Sequence, residues 1–77
     1  MGKKNEARAA ADELKRLRDE LAEVSAELHC AYRGFDDAVE EPLIHSCIFE
    51  INMLREKHSY LLRRVKALME AGEEAEP

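Results

Sequence analysis

Five side chains in this sequence could ligate a soft metal ion: His29, Cys30, His45, Cys47 and His58. A zinc site needs four such groups around one point, and the cysteines fit neither a CxxC nor a zinc-finger spacing. The helical register derived below turns His29, Cys30 and His45 outward, and Cys47 and His58 inward. The sequence therefore predicts no metal site and no cofactor, and Cys47 is interpreted as a small core residue.

The sequence also shows no arrangement of side chains that is typical of a catalytic site. Charged residues make up 38% of the chain, but no carboxylate pair or nucleophile–base pair is fixed in a cavity. The predicted helices offer ridges and not a dry pocket. The many glutamates are most simply a solvated face. We predict no catalytic residues and a protein that is not an enzyme.

His58 carries a second hypothesis, because it falls at an inward-facing a position of the second predicted helix. A polar residue there can specify register or oligomeric state at some cost in stability. Burial opposes protonation of an imidazole, so His58 could tune assembly between about pH 5 and pH 8. In the alternative interpretation the ring lies at the edge of the seam with one nitrogen in water.

Basic residues suggest a different function, because folding the chain back gathers six of them at the open end of the molecule: Lys15, Arg16, Arg18, Arg63, Arg64 and Lys66. Such an end could bind phosphates of nucleic acid. Against this, the net charge is -5, neighbouring carboxylates such as Glu13 and Glu20 dilute the patch, and no aromatic residue interleaves it for base stacking. An accessory nucleic-acid-associated factor is therefore the alternative function.

The first element that would position these groups is a helix with a heptad repeat, in which apolar residues recur at steps of three and four. Its a positions are Ala7, Leu14, Leu21, Leu28 and Phe35, and its d positions are Ala10, Leu17, Val24 and Ala31. We predict this helix over about residues 5–38, with Asn5 as its N-cap and Gly34 weakening its last turns.

The chain is predicted to break just before Pro42, because proline is tolerated in the first turn of a helix and not inside one. This places a turn at about residues 39–41 and a second helix at about residues 42–71. Its seam is again spaced by three and four: Ile44, Cys47, Ile51, Leu54, His58, Leu61, Val65 and Leu68. Gly72 is the predicted stop signal, and residues 1–4 and the acidic tail 72–77 are predicted to be disordered.

A turn this short forces the helices to fold back on each other. The predicted fold class is all-α, an antiparallel, coiled-coil-like two-helix hairpin. Pairing a with d positions across it places Leu21 beside Leu61. The flanking g positions then bring together two pairs of opposite charge, which support this register: Glu27 with Lys57, and Glu20 with Arg64.

The e positions on the other flank are apolar except for Arg18, Ser25 and Arg55, and one hairpin would leave this apolar flank in water. Tyr32, Ile48, Leu62 and Met69 form this predicted association face, and Phe49 at an f position is added as a further docking contact. Such a stripe favours association. We predict a homodimeric four-helix bundle, or a bundle completed by another helical protein. The alternative is a monomer whose helices rotate to cover more of the stripe.

Length and composition fit this picture of a small helical domain. The chain has 77 residues, of which 45% are hydrophobic and 5% aromatic, and chains of this size seldom have an ample core on their own. The first residues do not resemble a signal peptide, and no apolar run approaches the roughly 20 residues that span a bilayer. We expect a cytoplasmic protein with free thiols and no membrane association.

The stretch from about Leu28 to Lys66 resembles the YaaL-like family of small bacterial proteins of unknown function. The matching elements, in order, are Arg33, Phe35, Pro42-Leu43-Ile44, Ile48-Phe49-Glu50-Ile51, Leu54, Tyr60-Leu61-Leu62 and Lys66. The chain departs from the family at Glu41, where Asp is usual, and at His45, where an acidic residue is usual. The resemblance implies a bacterial cytoplasmic protein and carries over no activity, cofactor or catalytic residue.

Overall fold

The computed structural model describes the backbone of residues 2–75 and the side chains of residues 4–71. It consists of helix α1, Gly2–Asp37, and helix α2, Glu41–Ala75, joined by a turn at residues 38–40. The helices pack side by side in a hairpin that measures 59 × 16 × 13 Å. This confirms the predicted all-α two-helix hairpin. Neither helix, over the part of the chain described, has an apolar stretch long enough to cross a membrane.

The core follows the heptad pattern, but in α1 the column of d positions is buried more deeply than the column of a positions. The buried residues are Leu17, Val24 and Ala31 from the d positions of α1, and Ile51, Leu54, Leu61 and Val65 from α2. The a-position leucines of α1, Leu14, Leu21 and Leu28, are only partly buried against this cluster. Helix α1 is therefore rotated so that its d column faces α2 and its a column lies at the edge.

The turn is built from backbone hydrogen bonds around Glu40. The carbonyl oxygen of Glu40 accepts from the amides of Leu43 and Ile44, both at 3.0 Å, and so starts α2. Pro42 lies in this first turn, where its missing N–H leaves no hydrogen bond unmade. At the end of α1, the amide of Ala38 donates to the carbonyl of Phe35 at 3.3 Å. The break thus lies just before Pro42, one residue earlier than the predicted turn at residues 39–41.

Both helices are longer than we predicted. Helix α1 begins at Gly2, so Asn5 lies inside the helix and does not cap it, and α2 continues past Gly72 to Ala75. No glycine among the described residues has the positive φ that a glycine cap adopts. Lys, Glu and Ala at these ends favour helix. The predicted disordered segments are thus helical at residues 2–4 and 72–75, and residues 1, 76 and 77 lie outside the described chain.

The predicted charge pairs across the hairpin are not the ones that form. Arg64 lies 3.3 Å from Glu13, and Glu20 is instead paired with Arg16 at 2.7 Å. Glu27 and Lys57 form no ion pair either, within the described side chains. Glu13 and Glu20 lie one heptad apart on the same face, and the guanidinium of Arg64 lies at the level of Glu13.

Candidate association surface

The seam between the helices has two flanks with different chemistry. The charged flank consists of the g positions, chiefly Glu13, Glu20, Glu27, Glu50, Lys57 and Arg64. The apolar flank consists of the e positions Tyr32, Ile48, Leu62 and Met69 together with the a-column residues Leu14, Leu21, Leu28 and Phe35. Two cross-helix contacts establish which positions share a side: Arg64 with Glu13 at 3.3 Å, and the Nη2 of Arg18 with the Sδ of Met69 at 3.9 Å.

Large side chains of the apolar flank are half in contact with the core and half in water. Tyr32, Ile48, Leu62 and Met69 are between 38% and 46% exposed, and Phe35 is 39% exposed. Beside them, the a-column leucines of α1 are partly buried. The flank therefore presents an apolar surface that runs from the turn along most of the hairpin.

Polar residues interrupt this flank at its middle. Ser25 of α1 and Arg55 of α2 occupy e positions there, and both are exposed. Towards the open end, Arg18 extends over the flank to the sulfur of Met69. An arginine can cover apolar surface with its aliphatic stem and keep its charge in water. The flank thus has an apolar zone near the turn and another near the open end.

The whole molecule exposes more surface than a compact protein of its mass. Its accessible surface is 6433 Å², whereas a compact folded chain of 8.8 kDa would expose about 4,800 Å². Two long helices side by side have only one face each to bury. The unburied surface is a physical reason for this hairpin to associate with other helices.

Phe49 does not lie on the apolar flank. It is 76% exposed and follows Ile48 in the helix, so its side chain points about 100° away from that of Ile48. It lies with Met53 and Tyr60, which are also exposed, on the outer face of α2. Phe49 thus lies on a different face from the e-position residues, as its f position indicates, and its role as a docking contact stays a prediction. Sequence reasoning missed Met53 in this outer strip, although a helical wheel aligns it with Phe49 at i, i+4.

Arg64 holds Tyr60 of the outer strip in place. The guanidinium donates a hydrogen bond to the Tyr60 hydroxyl at 2.9 Å, and its carbon lies 5.9 Å from the ring centroid. The same guanidinium reaches Glu13 across the seam. Tyr60 is thus tied to the charged flank.

The six predicted basic residues form a belt and not an end. Helix α1 continues from Lys15 back to Gly2 and α2 runs on to Ala75, which adds about 20 Å of helix beyond the belt. Within the belt, Arg16 is paired with Glu13 at 2.6 Å and with Glu20 at 2.7 Å. Lys15 is paired with Asp19 at 3.1 Å. Carboxylates of the same helix therefore engage several of the cations that would bind phosphate.

Glu13 and Arg16 also influence each other's protonation. The side-chain hydrogen bonds from Arg16 hold the pKa of Glu13 below its ordinary value, and the charges of Arg16 and Arg64 act in the same direction. The hydrogen bonds to Glu13 likewise raise the pKa of Arg16. Both groups are fully charged at neutral pH, which keeps this part of the belt electrically balanced.

The five possible metal ligands are spread along the hairpin. His29, Cys30 and His45 are exposed, whereas Cys47 and His58 are half-buried in the seam. Among the described side chains, no three His, Cys, Asp or Glu residues are grouped so that they could hold one ion. His58 keeps part of its ring in contact with water, and its role in register or pH response stays a prediction.

Comparisons with known proteins returned no match: no family model fits the chain, and no curated protein or solved structure is detectably similar to it. The resemblance to the YaaL-like family therefore stays a prediction. The apolar flank is the surface from which a function can be argued.

Proposed function

We propose that this chain is a non-catalytic protein-interaction module that associates with a second copy of itself through the apolar flank to form a four-helix bundle. The observation that carries the proposal is the set of large apolar side chains, 38% to 46% exposed, that lie in two zones along one flank of the seam. Burying the exposed half of each such side chain contributes about 1 kcal/mol.

The dimensions of the hairpin suit a dimer. The hairpin is 59 Å long and 16 Å wide, so a face that spans both helices has room for an interface of standard size, about 800 Å² per partner. A second hairpin supplies an apolar face of the same length, and its charged flank stays at the rim. Four helices packed in this way enclose a core that two helices cannot enclose.

The proposal includes where the protein acts and which other partner could bind the apolar flank. The resemblance to YaaL-like proteins supports a bacterial, cytoplasmic protein. Helices from a different protein could fill the same flank, and the experiment below separates that outcome from self-association.

The test is the mass of the protein in solution at tens of micromolar, by sedimentation or light scattering. We expect twice the 8.8 kDa chain mass for the wild type. The double variant Ile48→Ser and Leu62→Ser should weaken the dimer about 1,000-fold, because each lost side chain counts twice in a symmetric dimer at about 1 kcal/mol. The matched control is Phe49→Ser with Met53→Ser, on the outer face of α2, which should leave the mass unchanged.

Two results would contradict the proposal. A helical wild-type monomer at these concentrations excludes the homodimer and leaves a partner protein as the occupant of the flank. A dimer that survives the flank substitutions but not the outer-face substitutions would place the interface on the strip of Phe49 and Met53.

A further inference from the structure

We infer that the two hairpins of the dimer lie head to tail, with the turn of one copy over the open end of the other. This inference rests on the proposed self-association and adds the orientation of the partner. It follows from the sizes of the side chains along the apolar flank and from the distribution of charge along the hairpin.

The sizes of the a-column residues match in this orientation. If the two-fold axis passes at Leu21, then Leu28 of one copy lies over Leu14 of the other, since each is one heptad from the axis. Phe35 is the largest residue of the a column and Ala7 is the smallest. They lie on opposite sides of the axis, each two heptads away from it. Phe35 therefore meets Ala7, which is the large-against-small packing that fills a core evenly.

On α2 the same axis passes at the level of Leu61. It turns the apolar zone of Ile48, near the turn, towards the open end of the other copy, which carries Met69. Ile48 and Met69 are both exposed on the same flank. Tyr32 of α1 in turn lies over the small residue Ala11.

The opposite orientation, turn against turn, packs badly. Tyr32, Phe35 and Ile48 of both copies would crowd together at one end of the bundle. The other end would have only the small residues Ala7 and Ala11 from α1 of both copies, beside Met69 of α2. Protein cores tolerate neither overpacking nor empty layers without a loss of stability.

Charge distribution points to the same orientation. Residues 27–52, the half of the hairpin around the turn, contain one arginine, Arg33, and six carboxylates: Glu27, Asp36, Asp37, Glu40, Glu41 and Glu50. Turn-against-turn packing would place two such acidic ends together. Head-to-tail packing separates the two turns by about 50 Å, the length of a 35-residue helix, which is well beyond the screening length of about 8 Å at physiological salt.

The test uses a spin label at the turn of each copy. Val39 is 88% exposed, so Val39→Cys in a Cys30→Ser, Cys47→Ala background should accept the label without loss of helix, which circular dichroism checks. Pulsed dipolar spectroscopy then measures the distance between the two labels of one dimer. We expect a distance of about 50 Å, the length of the helices. A distance of about 20 Å or less would mean turn-against-turn packing and overturn the inference.

Light scattering on the same labelled sample tests self-association separately from the orientation of the two hairpins. A dimer with a short label distance overturns only the orientation. A monomer without a dipolar signal overturns the self-association and with it the orientation.

A second measurement does not depend on the turn. Two single-cysteine proteins, Ala11→Cys and Tyr32→Cys, are mixed and treated with a short bis-maleimide. Head-to-tail packing predicts cross-linking between the two proteins and none when either is treated alone. If Tyr32→Cys instead cross-links to Ile48→Cys and not to Ala11→Cys, the hairpins lie turn to turn.

Discussion

The charged flank and the apolar flank border the same seam, but different kinds of contact cross them from one helix to the other. On the charged flank, Arg64 crosses from α2 to Glu13 and also holds Tyr60, and Arg16 joins Glu13 to Glu20. On the apolar flank, the one polar contact between the helices that the described side chains make is from Arg18 to Met69. The charged flank is thus bridged by an ion pair between the helices, whereas the apolar flank is left with apolar surface in water.

The rotation of α1 produces this difference. Its d residues, such as Leu17 and Val24, are 1% exposed, whereas its a residue Phe35 is 39% exposed. Near the turn, the g position of α1 is Gly34, where an added Cβ would lie 3.9 Å from the sulfur of Cys47, an ordinary van der Waals contact. The a column is displaced towards the apolar flank, where it adds to the surface available to a second copy.

The largest expected effect comes from the seam that both flanks share. Leu61 is 2% exposed and its neighbour Leu62 is 38% exposed, so they form a matched pair. Leu61→Ala should lower the free energy of unfolding by about 2–5 kcal/mol, since it leaves a cavity in the core. Leu62→Ala should mainly weaken the dimer. Urea denaturation followed by circular dichroism, at several protein concentrations, separates the two effects. Equal effects of the two substitutions on a dilute sample would mean that the flank is part of the monomer core.

Sequence spacing was enough to predict the hairpin and its seam, because the three-and-four spacing and Pro42 leave few other ways to bury Leu17, Val24 and Leu61. It was not enough to predict the rotation of α1, since a heptad pattern does not say whether the a or the d column is enclosed. The partner of Arg64 was predicted wrongly for a similar reason. Glu13 and Glu20 have the same heptad position, and local geometry decides between them.

The ends of the two helices were also predicted incorrectly, for a different reason. Asn5 and Gly72 are residues that often cap helices, and both were predicted to do so. The helix-favouring residues around them extend α1 to Gly2 and α2 to Ala75. Capping residues signal an end only where the next residues disfavour helix.

A smaller effect is expected at His58, which is half-buried in the seam. His58→Leu replaces a polar ring with an apolar side chain that packs with the core, so it should raise the free energy of unfolding by about 1 kcal/mol. The mass in solution should be the same before and after the substitution, as measured by light scattering. A change in oligomeric mass would mean instead that His58 specifies the assembly, as a polar residue at an a position can.

The smallest expected effect belongs to the charged flank. The lowered pKa of Glu13 means that this carboxylate stabilises the fold above its ordinary pKa of 4.5 and that this stabilisation is lost as the pH falls through the folded-state value. The unfolding midpoint of the wild type should fall as the pH drops below 4.5, and in Glu13→Gln this fall should be slightly smaller. High salt should make the difference between the two proteins smaller still. Glu23→Gln is the control, because Glu23 is exposed and makes no ion pair among the described side chains. If Glu13→Gln changed the dimer mass as well, the charged flank would be part of the interface, and the division between the two flanks would be wrong.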